Sequence, residues 1–231
     1  MKLAAISPCI YPTVRPIHFL LDSCKRHGIP LQIFGLGKQY ADWRNMLMEH
    51  TIPTMSQLER DGYTHVLYVD GIDTIFVAGL SEIAAKYERF GAPNCLMSAD
   101  SDIPTDNSHR FDFLAPWKYL NAGAYIGSID FIIHMWEKLS EINPTEGNYQ
   151  KWLERAWGGP EMSFLRGLYL DVACNIFQSM DGHPAIMPIG GRVLNAITNN
   201  WPCILHFRGG YCDPITGRDE RMKPWVEALC R

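Results

Sequence analysis

The sequence predicts an α/β protein with a mostly parallel central sheet. Three observations carry this: short apolar runs alternate with helical patterns along the chain, the strand-like runs are apolar on both faces, and several end on a polar or acidic residue. With 231 residues, 47% of them hydrophobic and 20% charged, the chain is long enough for one large α/β domain. It shows no internal repeat and no low-complexity tract, so a single domain over residues 1–231 is expected. The net charge of -4 argues mildly against nonspecific binding to DNA or anionic lipid, although Arg208, Arg218, Arg221 and Lys223 form a local basic group. The apolar stretch at Met1 to Pro8 is too short for a signal peptide, and no segment approaches a membrane span. Seven cysteines without C-x-x-C spacing read as reduced, mostly buried thiols. A cytoplasmic protein with no membrane partner is expected.

The elements follow in order. Leu3 to Ser7 is the first strand, broken by Pro8 and Pro12. Ile17, Leu20, Leu21 and Cys24 share a helical face that stops at Gly28. Leu31 to Leu36 is the second strand, and a weak helical pattern runs past Trp43 through Met55 and Leu58. His65 to Val69, bounded by Gly62 and Gly71, reads as an interior strand. A helix over Leu80 to Phe90 leads to a strand at Cys95 to Ala99, which ends on Asp100. Asn121 to Gly127 combines a short strand with small residues, so its backbone can approach something closely; Ser128 then caps a helix with the face Ile129, Ile132, Ile133, Trp136 and Leu139. Gly158-Gly159-Pro160-Glu161 opens another helix. Strands at Asn175 to Gln178, Ile186 to Ile189 and Cys203 to His206 complete the order, the last followed by Arg208-Gly209-Gly210.

The most informative stretch is Tyr68-Val69-Asp70-Gly71-Ile72-Asp73. Ligands of open α/β sheets collect at the carboxyl ends of strands. Two acids there oppose each other's ionisation unless a cation lies between them, and hard oxygen ligands suit Mg²⁺ or Mn²⁺. A lone D-x-x-D is more often an acidic turn that caps the next segment.

Several blocks together decide between these readings. Ile33-Phe34-Gly35-Leu36-Gly37, Leu67 to Phe76, Ser98-Ala99-Asp100, Leu120 to Gly127, Ile176 to Gly182 and Leu205 to Gly209 resemble, in order and over nearly the whole chain, the glycosyltransferase domain of the procollagen lysyl hydroxylases. They resemble the procollagen galactosyltransferases more distantly. The resemblance implies a single-domain, Rossmann-like GT-A fold and a hexosyltransferase that uses a nucleotide sugar, with UDP-sugar as donor and Mn²⁺ or Mg²⁺ as cofactor.

Residue by residue, the resemblance makes Asp70, Asp73 and His206 the metal ligands. Imidazole in that set leans toward Mn²⁺. Trp43 resembles an aromatic that stacks on uracil, as a planar base favours; a core tryptophan is the plain alternative. Ser7 stands at the end of the first strand where the base binds, and Tyr68 and Gly71 flank the metal acids. Asn121 is a candidate for sugar contacts. Arg208, beside the flexible Gly209, is a second cation for the phosphates, although relatives carry a small polar residue there. Glu161 is the candidate catalytic carboxylate for the acceptor hydroxyl, with Asp100 as the second candidate; Met162 stands where relatives have Gln. As a first-turn acid, Glu161 also suits a helix dipole without catalysis. The glycine-rich, lysine-bearing segment of the relatives is absent, leaving Arg44 as the nearby cation. Asp102, Asp106 and Asp112 are expected on the acceptor side. Collagen hydroxylysine is the relatives' acceptor; a stand-alone microbial or viral chain is expected to use another hydroxyl, on a glycan, a protein or a hydroxymethylated DNA base. The readings from other classes are a noncatalytic nucleotide-sugar-binding module and a nucleotidyltransferase, for which a glycine-rich phosphate loop is missing.

Overall fold

The structure is a computed structural model. It describes residues 1–39, 41–101, 115–157, 163–180, 185–207 and 216–229. The predicted helix opening at Gly158 to Glu161 and the acids Asp102, Asp106 and Asp112 lie outside the described residues.

The central sheet has six strands: β1 (Leu3–Pro8), β2 (Leu31–Phe34), β3 (His65–Val69), β5 (Cys95–Asp100), β6 (Tyr119–Ser128) and β7 (Leu168–Leu170), in the order β2-β1-β3-β6-β5-β7. β6 alone runs against its neighbours; the other pairings are parallel. The sheet is therefore mostly parallel, as the buried apolar runs require. Side chains two residues apart share a face, and this divides the core. Ile6, Val66, Tyr68, Met97 and Tyr125 point to one layer, formed by α3 (Ile52–Arg60), α5 (Ile129–Ile142) and α6 (Tyr149–Ala156). Ala5, Leu67, Val69, Leu96, Ala124 and Ile126 point to the other, where α1 (His18–His27) and α4 (Leu80–Arg89) bring Leu20, Cys24, Ile83 and Tyr87.

Local chemistry explains the boundaries. Gly28 ends α1 at φ 62°, a left-handed turn that costs glycine little. Asp42 caps α2 (Trp43–Met46) by accepting from the Asn45 N–H at 2.7 Å. A π-turn over Leu47–Thr51 then joins α2 to α3, next to Pro53, which has no N–H for an ordinary helical bond. That interruption is why the helical periodicity in this region is weak.

A second sheet, in the order β4-β11-β8, contains β4 (Thr74–Phe76), β8 (Phe177–Ser179) and β11 (Ile204–His206). The last predicted strand thus lies outside the central sheet. β11 runs antiparallel to β4 and parallel to β8, which sets His206 opposite Thr74 and Ser179. β8 is anchored by Asp171, a fully buried carboxylate that accepts from the N–H groups of Asn175, Ile176 and Phe177 at 2.7–3.0 Å. β9 (Ile186–Ile189) and β10 (Arg192–Asn195) form a hairpin, and α7 (Thr216–Leu229) follows. No described helix is long and apolar enough to cross a membrane.

Arg192 fastens the hairpin to α4 with two hydrogen bonds to the Glu82 carboxylate, at 2.8 and 3.0 Å. Partial burial alone would raise the Glu82 pKa, but hydrogen bonds from Arg192 and Lys86 outweigh it and hold the pKa at about 2, below its ordinary 4.5. A depressed folded-state pKa means that the clamp stabilises the fold above about pH 4.5 and loses that effect as pH falls toward 2. Urea midpoints of the wild type and Glu82→Gln are expected to differ at pH 6 and to converge between pH ~5 and ~2. A constant difference across that window would contradict the clamp.

Candidate active site

Asp70, Asp73 and His206 come together from two sheets. Asp70 follows β3, Asp73 precedes β4, and His206 ends β11. His206 Nε2 lies 3.5 Å from Asp73 Oδ1 and 3.8 Å from Asp70 Oδ2. One ligand atom from each residue lies within 4.8 Å of the others. The backbone fixes both acids: the Phe207 N–H donates to Asp73 O at 2.7 Å, and the Asp70 N–H donates to Gly123 O at 2.8 Å. The Tyr68 hydroxyl holds the Asp70 side chain, donating to Oδ1 at 3.1 Å.

These residues fit a divalent cation. Asp73 Oδ1 and His206 Nδ1 are buried without a hydrogen-bond partner among the described residues. For Asp73 such an oxygen is costly unless something cationic meets it. Neighbouring ligands of an octahedral Mg²⁺-sized ion stand about 3 Å apart, close to the spacing here. Two carboxylates and an imidazole also form a donor set suited to Mn²⁺. Burial pushes the His206 imidazole toward its neutral form, but Asp73, Asp70 and Asp100 overcome this and raise its pKa to about 9. The metal-free site therefore carries a proton that a cation would displace.

The space beside the acids is opened by an irregularity in β6. Met97 pairs with Tyr125 but Ser98 pairs with Asn121, so Ala122, Gly123 and Ala124 have no counterpart on β5. Bulges of this kind re-aim a strand at functional sites. Side chains satisfy the freed backbone: Asn121 Oδ1 accepts from the Gly123 N–H at 2.8 Å, and Gln150 Oε1 accepts from the Ala122 N–H at 2.9 Å. Gly123 is thereby pressed against the acids. A Cβ on it would lie 2.4 Å from His206 Cε1 and 2.7 Å from Asp70 Oδ2.

A cavity of about 380 Å³ opens over this cluster. Asp70, Gly71, Asp73, Asn121, His206 and Trp43 line it, so six of the expected site residues border one cavity. Trp43 is 42% exposed, lines the cavity and meets Tyr149 edge-on at 6.1 Å, so it stands at the surface rather than in the core. Tyr68 stands behind Asp70. Ser7 lies outside the lining, its hydroxyl buried behind Gly71, where a Cβ would meet Pro8 O at 2.4 Å and Ser7 Oγ at 3.2 Å. Asp100 also lies outside the lining: its carboxylate is buried, accepting from Ser179 Oγ at 3.0 Å, Asn121 Nδ2 at 3.2 Å and the Ser101 N–H at 2.8 Å. Glu161, Arg208 and Gly209 lie outside the described residues. Tyr11, Met46, Asn148, Tyr149 and Gln150 also line the cavity and carried no expected role. Of these, the helix start at Asn148 was legible in principle, since Asn is a favoured cap and here accepts from the Gln150 N–H.

Gly123→Ala is expected to weaken Mn²⁺ binding, measured by calorimetry, about tenfold or more, because it displaces two ligands at once. The unfolding free energy should fall by about 1–3 kcal/mol. Unchanged Mn²⁺ affinity would contradict the close approach.

Residues 15–211 match a family model described as the PLOD GT domain. A glycosyltransferase involved in the glycosylation of the major capsid of PBCV-1 has a similar structure, with a TM-score of 0.59 at 9% identity over 96% of this chain and 98% of that one. The galactosyltransferase LgtC is a more remote neighbour, with a TM-score of 0.48 at 12% identity over 99% of this chain and 96% of that one. No curated protein matches the chain in sequence. The chain belongs to the PLOD GT domain family, and is a glycosyltransferase with the GT-A fold.

Proposed function

We propose that this glycosyltransferase moves a hexose from a UDP-sugar to a hydroxyl of a glycan or protein, with Mn²⁺ held by Asp70, Asp73 and His206. One observation carries the reading: the acid and histidine cluster and the exposed face of Trp43 share the wall of one cavity, so a metal-bound diphosphate and a stacked base fit one ligand. Net charge of -4 favours a glycan or protein acceptor over DNA.

The roles follow from chemistry. Trp43 offers its ring to the base, with Tyr149 supporting it edge-on. Gly123 keeps a side chain away from Asp70 and His206, and Gly71 lets the loop between the two acids pack against Pro8 and Ser7, which leaves the acids open to phosphate oxygens. A divalent cation at this site stabilises the charge that develops on the departing diphosphate. Asp100 fixes Asn121, which faces the sugar end of the cavity through the β6 bulge. Glu161 takes the acceptor hydroxyl proton, and Arg208 with Gly209 adds positive charge at the phosphates.

Incubation with Mn²⁺ and a panel of nucleotide sugars is expected to release UDP from a UDP-hexose in preference to other donors. Asp73→Ala should lose at least a hundredfold in rate, and EDTA should abolish turnover. Tight UDP binding with no hydrolysis or transfer to any hydroxyl acceptor would favour a binding module instead, and full activity in Asp73→Ala would remove the metal assignment.

A further inference from the structure

Helix α6 begins with Tyr149 and Gln150, both on the cavity wall. Their hydrogen bonds run inward to the residues that hold Asp70. The Tyr149 and Tyr68 side chains are hydrogen-bonded to each other. The Tyr68 hydroxyl in turn donates to Asp70 Oδ1 at 3.1 Å. Tyr149 is thus linked through Tyr68 to the carboxylate. The far end of this link touches Trp43, whose ring stands 6.1 Å from that of Tyr149 at 87°.

Gln150 makes the second connection. Its Nε2 donates to Leu120 O at 2.8 Å and to Glu154 Oε1 at 3.0 Å, while its Oε1 accepts from the Ala122 N–H at 2.9 Å. Both amide hydrogens are in use, so the side chain has no donor left for a substrate. What it grips is the β6 bulge on both sides of Asn121. The next residue, Gly123, accepts the Asp70 N–H. One helical turn therefore reaches Asp70 twice, through its side chain and through its backbone.

We propose that Tyr149 and Gln150 are positioning residues for the divalent-cation site, and that the first turn of α6 sets the placement of Asp70 relative to Asp73 and His206. This rests on the metal reading above. Partners behind metal ligands typically change affinity 10–100-fold when removed.

The test is calorimetric titration of the full chain with Mn²⁺ alone, without nucleotide. Tyr149→Phe keeps the ring against Trp43 and removes the hydroxyl, so it is the deciding variant; Gln150→Leu tests the second connection. Each is expected to bind Mn²⁺ roughly tenfold more weakly. Tyr149→Phe should add no further loss in a Tyr68→Phe background, because the route to Asp70 is already cut. Wild-type affinity in Tyr149→Phe overturns the proposal, as does an equal loss in the Tyr68→Phe background. A wild-type chain that takes up no Mn²⁺ overturns the metal reading itself, and the inference with it.

Discussion

The structure depends on a close approach: the backbone of Gly123 against Asp70 and His206. Two carboxylates in a largely buried pocket repel one another unless a positive charge sits among them, either the protonated His206 imidazole or a divalent cation. Such a cluster persists only where the surrounding backbone leaves it no other place. At Gly123 even a methyl group would collide with two of the three side chains.

Two sheets supply that backbone. The central sheet contributes the end of β3 and the β6 bulge, and the small sheet contributes His206 by setting β11 between β4 and β8. Asp100 joins them. It sits on β5 of the central sheet and accepts from Ser179 on β8 and Asn121 on β6, so one buried carboxylate fixes the small sheet, the bulge and the floor beneath the cavity. A carboxylate in that position does more for geometry than for proton transfer. The cavity is closed on its other side by α2 and α6, which bring Trp43 and Tyr149 into edge-on contact.

The parts of this site that were legible in the sequence are those that depend on local pattern. A buried run at His65 to Val69 followed by Gly71 places Asp70 at a strand end, and the small residues of Asn121 to Gly127 announce a close backbone approach. The ordered resemblance to glycosyltransferase domains adds His206. The rest needed long-range pairing. β4 is three residues long and gives no periodic signal, yet its register with β11 is what brings His206 to Asp73. Ser7 stands at a strand end, but the pleat turns its hydroxyl behind Gly71 instead of toward the cavity. Asp100 has the same strand-end signature as Asp70, and only the tertiary structure distinguishes a carboxylate absorbed by hydrogen bonds from one facing open space. Tyr149 and Gln150 join the wall because α6 packs across β6, which no spacing in the chain records.

Asp70, Asp73 and His206 are proposed to form one divalent-cation site. Anomalous diffraction from crystals of the wild-type chain grown with Mn²⁺ tests it most directly. A single strong peak is expected among Asp70 Oδ2, Asp73 Oδ1 and His206 Nε2, within about 2.0–2.3 Å of each ligand atom. A fully loaded crystal with its peak elsewhere, or with the His206 imidazole turned away from the ion, would contradict it.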